Sequence, residues 1–371
     1  MAETGIHPFT IEVPDADLED LRRRLDSARW PDELGEGDYG VRASYVRSLA
    51  DHWRDAYDWR AVESRLNGFP QYTTEIDDQN VHFLHVRSPE TGALPIVLTH
   101  GWPGSVYEFV DVIGPLTDPR AHGGDPNDAF DLVVPSLPGY GFSGPTREPG
   151  WGDRRIAAAW VELMHRLGYE RYGAAGNDAG SSISPEVGRL APERVVGVHV
   201  TQIFSFPSGD PAEFADLSEE EAAQLQTLQW FVDNKFSFNT LMSQQPQTLA
   251  FALADSPIGL LAWNGQLLGE DLDQGFVVTN VMIYWLTGTA GSAARRYFEN
   301  AQAGEGPAEP TTVPLGLAAF AGDFSGIRRF AERDHRNIVR WTTYDRGGHF
   351  AAHSAPKLLI DDIRDFYRPL R

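Results

Sequence analysis

The stretch Gly173-Ala174-Ala175-Gly176-Asn177-Asp178-Ala179-Gly180 carries the strongest structural signal in this chain. Gly176 and Gly180 stand two residues before and two residues after Asp178. The same spacing around a serine forms a nucleophile elbow, a sharp turn from a strand into a helix that exposes the central side chain. An aspartate beside glycine is also typical of an ordinary turn or a helix N-cap. The rest of the sequence has to decide between a structural and a chemical role for Asp178.

Length, composition and charge exclude several classes of protein. The chain has 371 residues, 42% of them hydrophobic, which is typical of a globular protein with a large core. Its net charge of −22 argues against nucleic acids and anionic membranes as partners. It has no cysteine, which excludes disulfides and thiolate catalysis. No apolar run resembles a signal peptide or a membrane helix, so we expect a cytoplasmic protein that does not enter a membrane.

Short apolar runs alternate with helical segments, which predicts a mostly parallel sheet covered on both faces. Two alternating segments, 71–76 and 80–86, predict a hairpin around Asp77-Asp78. The apolar runs lie at 95–99, 131–135, 172–175, 195–203, 313–321 and 338–344. The helices include 15–25, 154–167 and 356–367.

The same pattern divides the chain into four segments. Residues 1–92 are predicted to form a mostly helical N-terminal domain, with an aromatic-rich stripe over 45–66. Residues 93–205 and 306–371 form the two parts of an α/β core. Residues 206–305 are helical and aromatic, and they are too long for a plain loop, so we expect a helical lid.

Three acid–base residues follow three of the predicted strands. Asp178 follows 172–175, Asp323 follows 313–321, and His349 follows 338–344. The carboxyl ends of parallel strands open onto one edge of the sheet, so the three side chains should converge there. The order nucleophile, acid, histidine is that of the α/β-hydrolase fold. The sequence therefore predicts this fold, with Asp178 as the nucleophile, Asp323 as the orienting acid and His349 as the general base.

Other histidines and carboxylates fit these roles less well. His353 is expected to lie at the surface or cap a helix, His335 to lie on a solvated helix face, and His85 and His199 to pack within strands. The competing acids are Glu332, Asp334 and Asp345, none of which directly follows the penultimate strand.

The segment His100-Gly101-Trp102-Pro103 follows the strand 95–99. In this fold that position supplies one backbone N–H of the oxyanion hole, and the residue after the nucleophile supplies another. We therefore expect the N–H groups of Trp102 and Ala179 to form the hole. Gly139 to Gly144 match a dinucleotide-binding spacing, but the residues that follow break a helix, so no nucleotide cofactor is predicted. No metal site is predicted either.

Five motifs together resemble the epoxide hydrolases of the microsomal type within the α/β-hydrolase superfamily. They are HGWPGS (100–105), PGYGFSG (138–144), the Asp178 elbow, TNVMIYWLTGT (279–289) and GGHFAA (347–352). The resemblance covers nearly the whole chain, including the N-terminal domain of that family. It implies that Asp178 opens an epoxide to an alkyl-enzyme ester, which a water activated by His349 and Asp323 cleaves to a vicinal diol. It also implies a small-molecule epoxide as the substrate, no cofactor, and pairing into a homodimer.

The resemblance further implies two lid tyrosines that donate to the epoxide oxygen. Tyr297 matches one of them, whereas Phe238 stands near the position of the other and has no hydroxyl. The residues that could replace this donor are Ser237, Asn239, Ser243 and Gln244. The aromatic residues expected to line the pocket, which suit a bulky or aromatic epoxide, are Trp102, Trp230, Phe236 and Phe238.

Two alternative functions remain open from the sequence. A haloalkane or haloacid dehalogenase uses the same aspartate chemistry, but such enzymes often place Trp or Arg after the nucleophile, where this chain has Ala179. A non-catalytic binding protein on a hydrolase scaffold is the other alternative, and the missing hydroxyl at Phe238 favours it. An esterase or lipase requires serine at position 178.

Overall fold

The computed structural model of the chain describes residues 5–35, 39–304 and 309–371. In these residues nine strands form one sheet, in the order β1-β2-β3-β5-β4-β6-β7-β8-β9. The strands are β1 (His7–Pro8), β2 (Gln71–Ile76), β3 (Gln79–Val86), β4 (Leu94–Thr99), β5 (Phe130–Pro135), β6 (Tyr172–Gly176), β7 (Val195–Val200), β8 (Leu315–Gly322) and β9 (Ile338–Gly348). The pairs from β5 through β9 are parallel, and the three N-terminal strands are antiparallel. The predicted mostly parallel sheet is confirmed.

Helices flank the sheet and fill the long segment between β7 and β8. They are α1 (Asp15–Asp26), α2 (Ala43–Asp55), α3 (Trp59–Asn67), α4 (Val110–Thr117), α5 (Asp153–Arg166), α6 (Ala179–Leu190), α7 (Glu219–Asn234), α8 (Ser237–Gln244), α9 (Pro246–Asp255), α10 (Pro257–Leu268), α11 (Gln274–Thr287), α12 (Ala290–Gln302), α13 (Arg328–Asp334), α14 (Ala351–Ser354) and α15 (Pro356–Tyr367). The aromatic-rich segment 45–66 lies on two helices, α2 and α3. It breaks because the Asp58 side chain accepts hydrogen bonds from the N–H groups of Arg60 and Ala61 and caps α3.

Alternation of side chains along the central strands places apolar groups on both faces of the sheet. In β4, Val97 packs into the cluster that contains α5 and α6, whereas Ile96 and Leu98 pack into the cluster that contains α4 and α15. Each such side chain stabilises the fold by about 1.5–3 kcal/mol when fully buried. Coverage on both faces leaves the carboxyl edge of the sheet as the place where loops can gather side chains.

The N-terminal segment joins the sheet through the predicted hairpin. β2 and β3 pair from Gln71 with Leu84 to Ile76 with Gln79, around Asp77 and Asp78. Both turn residues have positive φ values, 55° and 59°, which a two-residue hairpin turn of this hand requires. Because β3 also pairs with β5, the sheet is continuous across the boundary predicted between residues 92 and 93.

The residues between β7 and β8 form a helical insertion, defined here as residues 206–304. Its helix α11 is buried along most of its length, and α12 packs on α8 and α9. The N-terminal helix α2 lies against α10 and α11, where the indole nitrogen of Trp53 contacts the sulfur of Met282 at 3.4 Å. In contrast, α7 has no buried residue. No helix in the described residues is long and apolar enough to span a bilayer.

Candidate active site

The turn between β6 and α6 has the geometry of an elbow. Asp178 adopts φ 52° and ψ −114°, a conformation that residues other than glycine rarely take. The two flanking glycines make it possible by close approach of the backbone. A Cβ on Gly176 would lie 2.5 Å from the carbonyl carbon of Gly180, and a Cβ on Gly180 would lie 2.0 Å from the carbonyl oxygen of Thr99. No side chain fits at either position, which explains the spacing seen in the sequence.

The carboxyl edge of the sheet brings the three predicted acid–base residues together. Nδ1 of His349 lies 2.9 Å from Oδ1 of Asp323. Nε2 of His349 lies 3.6 Å from Oδ2 of Asp178. The imidazole therefore stands between the two carboxylates, with one ring nitrogen facing each.

The loop after β4 contacts the other oxygen of the elbow carboxylate. The backbone N–H of Trp102 donates to Oδ1 of Asp178 at 2.9 Å. Gly101 has no room for a side chain, because a Cβ there would lie 2.0 Å from the same oxygen. The Trp102–Pro103 peptide bond is cis. Ala179 is the first residue of α6, so its N–H belongs to the group of first-turn donors that a helix does not use internally.

The environments of Asp323 and His349 favour the charged form of each. Burial raises the pKa of Asp323, but His349 and hydrogen bonds from Gln202 and the Phe324 N–H outweigh it, and the pKa lies below its ordinary value. Burial lowers the pKa of His349, and the carboxylates of Asp323 and Asp178 outweigh that effect and raise it to about 10. These environments favour an imidazolium at His349 where it faces the carboxylate of Asp323.

A group of aromatic rings stands at the site. Trp102 stacks on Phe238, with ring centroids 5.6 Å apart and planes at 21°. Tyr297 meets both rings edge-on, at 6.1 Å from Trp102 and 6.2 Å from Phe238. Phe236 contacts Phe238 at 5.8 Å. We call Trp102, Phe236, Phe238 and Tyr297 the ring cluster.

Trp230 differs from the other residues predicted to line the pocket. It lies on α7 with 53% of its surface exposed, and none of the ring contacts of the described residues involves it. The structure does not bring Trp230 to the ring cluster, because α7 is a surface helix with no buried residue.

The residue before Tyr297 belongs to a largely buried ion pair that the sequence did not reveal. This residue, Arg296, is 7% exposed and donates through Nε and one terminal nitrogen to the two oxygens of Asp153, at 2.7 and 2.9 Å. Asn300 donates to the same carboxylate at 3.0 Å. This network ties α12 to the start of α5. Burial and the nearby Asp178 raise the pKa of Tyr297 well above its ordinary value, so its hydroxyl keeps its proton.

Three further polar residues lie at the elbow, and no sequence motif pointed to them. They are Glu108, Asn177 and Gln202, each at most 4% exposed. The Asn177 side-chain nitrogen donates to Glu108 Oε1 at 2.9 Å, and Gln202 donates to Asn177 Oδ1 at 2.7 Å. The available signal was position: Asn177 precedes Asp178, and Gln202 lies two residues past the end of β7, at the same sheet edge.

The other histidines lie apart from this arrangement. His85 and His199 are buried in strands, as expected. The expectation for His335 is wrong: it is 9% exposed and its Nδ1 lies 2.8 Å from Thr311 Oγ1, because the chain beyond α13 bridges back to Thr311. His353 is partly buried, with Nε2 2.5 Å from Asp273 Oδ2.

Glu332 and Asp334 bond to Arg328 and Arg333 instead of His349. In the described residues, no group of three or more His, Asp or Glu side chains has an arrangement that could hold a metal ion.

The fold and the order of these side chains along the sheet edge define the class of protein: the chain is an α/β-hydrolase. The sequence profile of the α/β-hydrolase fold matches residues 95–252. A second profile, described as the epoxide hydrolase N terminus, matches residues 6–109.

Known proteins are similar over almost the whole chain. A relative from Stigmatella aurantiaca (strain DW4/3-1) is 42% identical over 99% of this chain and 86% of its own length. Epoxide hydrolase 1 of Sus scrofa is 32% identical over 98% of this chain and 89% of its own. The solved structure of the Aspergillus niger epoxide hydrolase superimposes with a TM-score of 0.86 at 29% identity, covering 99% of this chain and 97% of that one. The chain belongs to the epoxide hydrolase family.

Proposed function

We propose that this protein hydrolyses an epoxide to a vicinal diol through a covalent ester on Asp178. The observation that supports the proposal is that the two oxygens of this carboxylate have different contacts. Oδ1 accepts the Trp102 N–H, whereas Oδ2 faces Nε2 of His349 at 3.6 Å. Oδ1 therefore lies where the oxyanion of an ester intermediate would be stabilised, and Oδ2 is free to attack an epoxide carbon.

In the first step Oδ2 of Asp178 forms a bond to an epoxide carbon, and the bond from that carbon to the ring oxygen breaks. The ring oxygen takes a proton from the Tyr297 hydroxyl, which stands beside Trp102 in the ring cluster. General acid catalysis of this kind typically contributes 10²–10⁴-fold. The tyrosinate then recovers its proton from the His349 imidazolium through solvent.

Alkylation itself makes His349 available as a base. The Asp178 carboxylate is one of the charges that raise the pKa of His349. When Asp178 becomes a neutral ester, this charge is lost, so the pKa of His349 falls in the intermediate. Release of the imidazolium proton balances the proton given to the alcohol.

In the second step neutral His349 takes a proton from water, and the hydroxide attacks the ester carbonyl carbon. The negative charge develops on Oδ1, where the Trp102 N–H already donates and the Ala179 N–H is expected to donate. Collapse of this intermediate breaks the bond from the carbonyl carbon to the former Oδ2, and that oxygen takes the proton of the newly added hydroxyl and leaves as part of the diol. Asp178 is again a carboxylate, and His349 remains the imidazolium formed when it took the proton from water. Asp323, bonded to Nδ1 at 2.9 Å, stabilises that imidazolium. A serine in place of Asp178 would leave an ether, which water does not cleave under these conditions.

The ring cluster supports a bulky or aromatic epoxide as the substrate. An aromatic substituent of the substrate can make stacked or edge-on contacts with these rings. Each ring pair of this kind contributes about 0.5–1.5 kcal/mol of binding free energy beyond the burial of area. We expect a higher kcat/KM for styrene-oxide-type epoxides than for small aliphatic ones. The reverse order would contradict this substrate class and leave the reaction itself untouched.

A single turnover in ¹⁸O-water tests the mechanism. With excess enzyme, the first diol should carry oxygen from Asp178 and remain unlabelled, and the label should appear in the peptide that contains Asp178. Label that enters the first diol directly would refute the covalent ester, as would an active Asp178→Ala variant. Release of halide from haloalkanes at a comparable rate would favour the dehalogenase alternative.

A further inference from the structure

Gln202 lies two residues past the end of β7, is 1% exposed, and uses both ends of its side-chain amide. Its Oε1 accepts the backbone N–H of Asp178 at 2.8 Å and lies 2.8 Å from the hydroxyl of Ser181 and 3.0 Å from that of Thr201. Its Nε2 donates to Oδ1 of Asn177 at 2.7 Å and to Oδ2 of Asp323. An amide has two donor hydrogens and two acceptor lone pairs. All four are engaged, so the orientation of the amide is fixed by its surroundings.

The position of Gln202 lets one side chain span two catalytic elements. Asp178 follows β6 and Asp323 follows β8, and β7 lies between these strands in the sheet. The carbonyl end of the amide faces the backbone of the elbow, and the NH₂ end faces the acid. No other described side chain bonds to both the elbow backbone and Asp323.

The bond to Asp323 completes the set of donors around that carboxylate. Oδ1 accepts the His349 ring nitrogen and the Phe324 N–H at 2.7 Å, so Gln202 is the donor to Oδ2. A carboxylate held on both oxygens cannot rotate away from the imidazole. It also stays ionised, which it must do while it faces an imidazolium.

We propose that Gln202 is a positioning residue for the second step of the reaction. It aims the Asp323 carboxylate at Nδ1 of His349, and it fixes the elbow backbone that presents the ester. Removing its donor end affects the water-activating pair Asp323–His349 directly, whereas attack by Asp178 Oδ2 on the epoxide does not require that pair as a base. The inference rests on the proposed covalent function.

The test compares three variants in single turnovers with styrene oxide, following the alkyl-enzyme by intact mass and the diol by rapid quench. Gln202→Glu keeps the shape and the acceptor oxygen, but in its ionised form has no donor for Asp323. Gln202→Met removes both functions. The control is Thr117→Val, which deletes a buried hydroxyl on α4 that donates to the Ile113 carbonyl at 2.8 Å and bonds to neither Gln202, Asp323 nor the Asp178 backbone.

We expect Gln202→Glu to slow ester hydrolysis at least about ten-fold at about pH 9, with alkylation changed less than about three-fold. Towards about pH 6 the ratio of variant to wild-type hydrolysis rate should rise at least about five-fold, because a protonated glutamic acid again donates to Asp323. A purely structural role gives no such titration. Thr117→Val should keep both rates within about three-fold of the wild type.

Equal losses in both steps, with a variant-to-wild-type ratio independent of pH, would overturn the proposal, and so would a Gln202→Glu enzyme that matches the wild type. If Gln202→Glu does not fold, Gln202→Met decides: a loss confined to hydrolysis supports the role and equal loss in both steps refutes it. A wild-type enzyme that forms no adduct on Asp178 would instead refute the covalent function, and this inference would fall with it.

Discussion

Glu108 is a buried acid whose protonation should make the stability of the protein depend on pH. It is 1% exposed, its Oε1 accepts from Asn177, and its Oε2 is buried with no hydrogen-bond partner in the described part of the chain. Burial raises the pKa of Glu108, the nearby carboxylates of Asp178 and Asp323 raise it further, and the hydrogen bond from Asn177 and the charge of His349 act against them. The pKa reaches about 8 from an ordinary value of 4.5.

The magnitude follows from linkage between protonation and folding. Below about pH 4.5 the acid is neutral in both states and costs nothing. Between 4.5 and about 8 the unfolded chain has lost the proton and the folded protein has kept it, so stability falls as the pH rises. At about 1.4 kcal/mol per pKa unit, the shift to about 8 costs at most about 5 kcal/mol at high pH, of which about 2 kcal/mol is present at about pH 6.

The variant Glu108→Gln keeps the shape and the Asn177 contact but cannot ionise. We compare the free energies of unfolding of variant and wild type by urea titration at about pH 6 and at about pH 9. The difference, variant minus wild type, should rise by about 3 kcal/mol from the lower pH to the higher one. Glu19→Gln, which removes one exposed carboxylate on α1, is the control for net charge. A difference between wild type and Glu108→Gln that stays constant across this range would refute the reasoning, because it would mean that Glu108 does not titrate there.

Three further predictions concern the site and its supports. His349→Gln should still be alkylated and should accumulate an ester on Asp178, visible by intact mass, because hydrolysis loses a general base worth about 10²–10⁴-fold; rapid diol release would contradict the assignment. Phe238→Tyr adds a hydroxyl at the ring cluster, and steady-state kinetics on simple epoxides should show unchanged or raised turnover, whereas a fall of about ten-fold or more would mean that the phenylalanine itself is required. Arg296→Met should lower the free energy of unfolding by about 1.5–3 kcal/mol, because the Asp153 side chain, which is 19% exposed, loses two charge-assisted hydrogen bonds and keeps the one from Asn300. In denaturant titrations, Arg296→Met with Asp153→Leu should recover part of the loss.

The sheet and the catalytic edge were predictable because both depend on local signals. Apolar runs, the glycines around Asp178 and the strand-end positions of Asp323 and His349 are all visible in a linear sequence. Trp230 shows where this fails: an aromatic residue in an amphipathic segment is equally suited to a pocket and to an exposed face, and only packing decides. His335 fails for the same reason, because its partner Thr311 is distant in sequence and the bridge between them buries a ring in a charged run.

Gln202, Glu108 and Arg296 show a second limit. Their roles depend on bonds to residues well separated along the chain, from 24 positions for Gln202 and Asp178 to 143 for Arg296 and Asp153. Buried polar groups of this kind must be satisfied by partners that the fold supplies. Sequence patterns report periodicity and turns, and they contain no trace of such long-range pairing.

The helix α11 connects the turn between α2 and α3 to the loop that follows β4. On one side the Tyr57 hydroxyl lies 3.0 Å from Thr279 Oγ1, and on the other the Tyr284 hydroxyl donates to the Gly104 carbonyl at 2.7 Å. Ser105 also donates to Asn280 at 2.8 Å. A helix that is hydrogen-bonded on two sides does not move independently of its neighbours. In contrast, α7 has no buried residue, so we expect it to be the helix of the insertion whose displacement costs the least free energy.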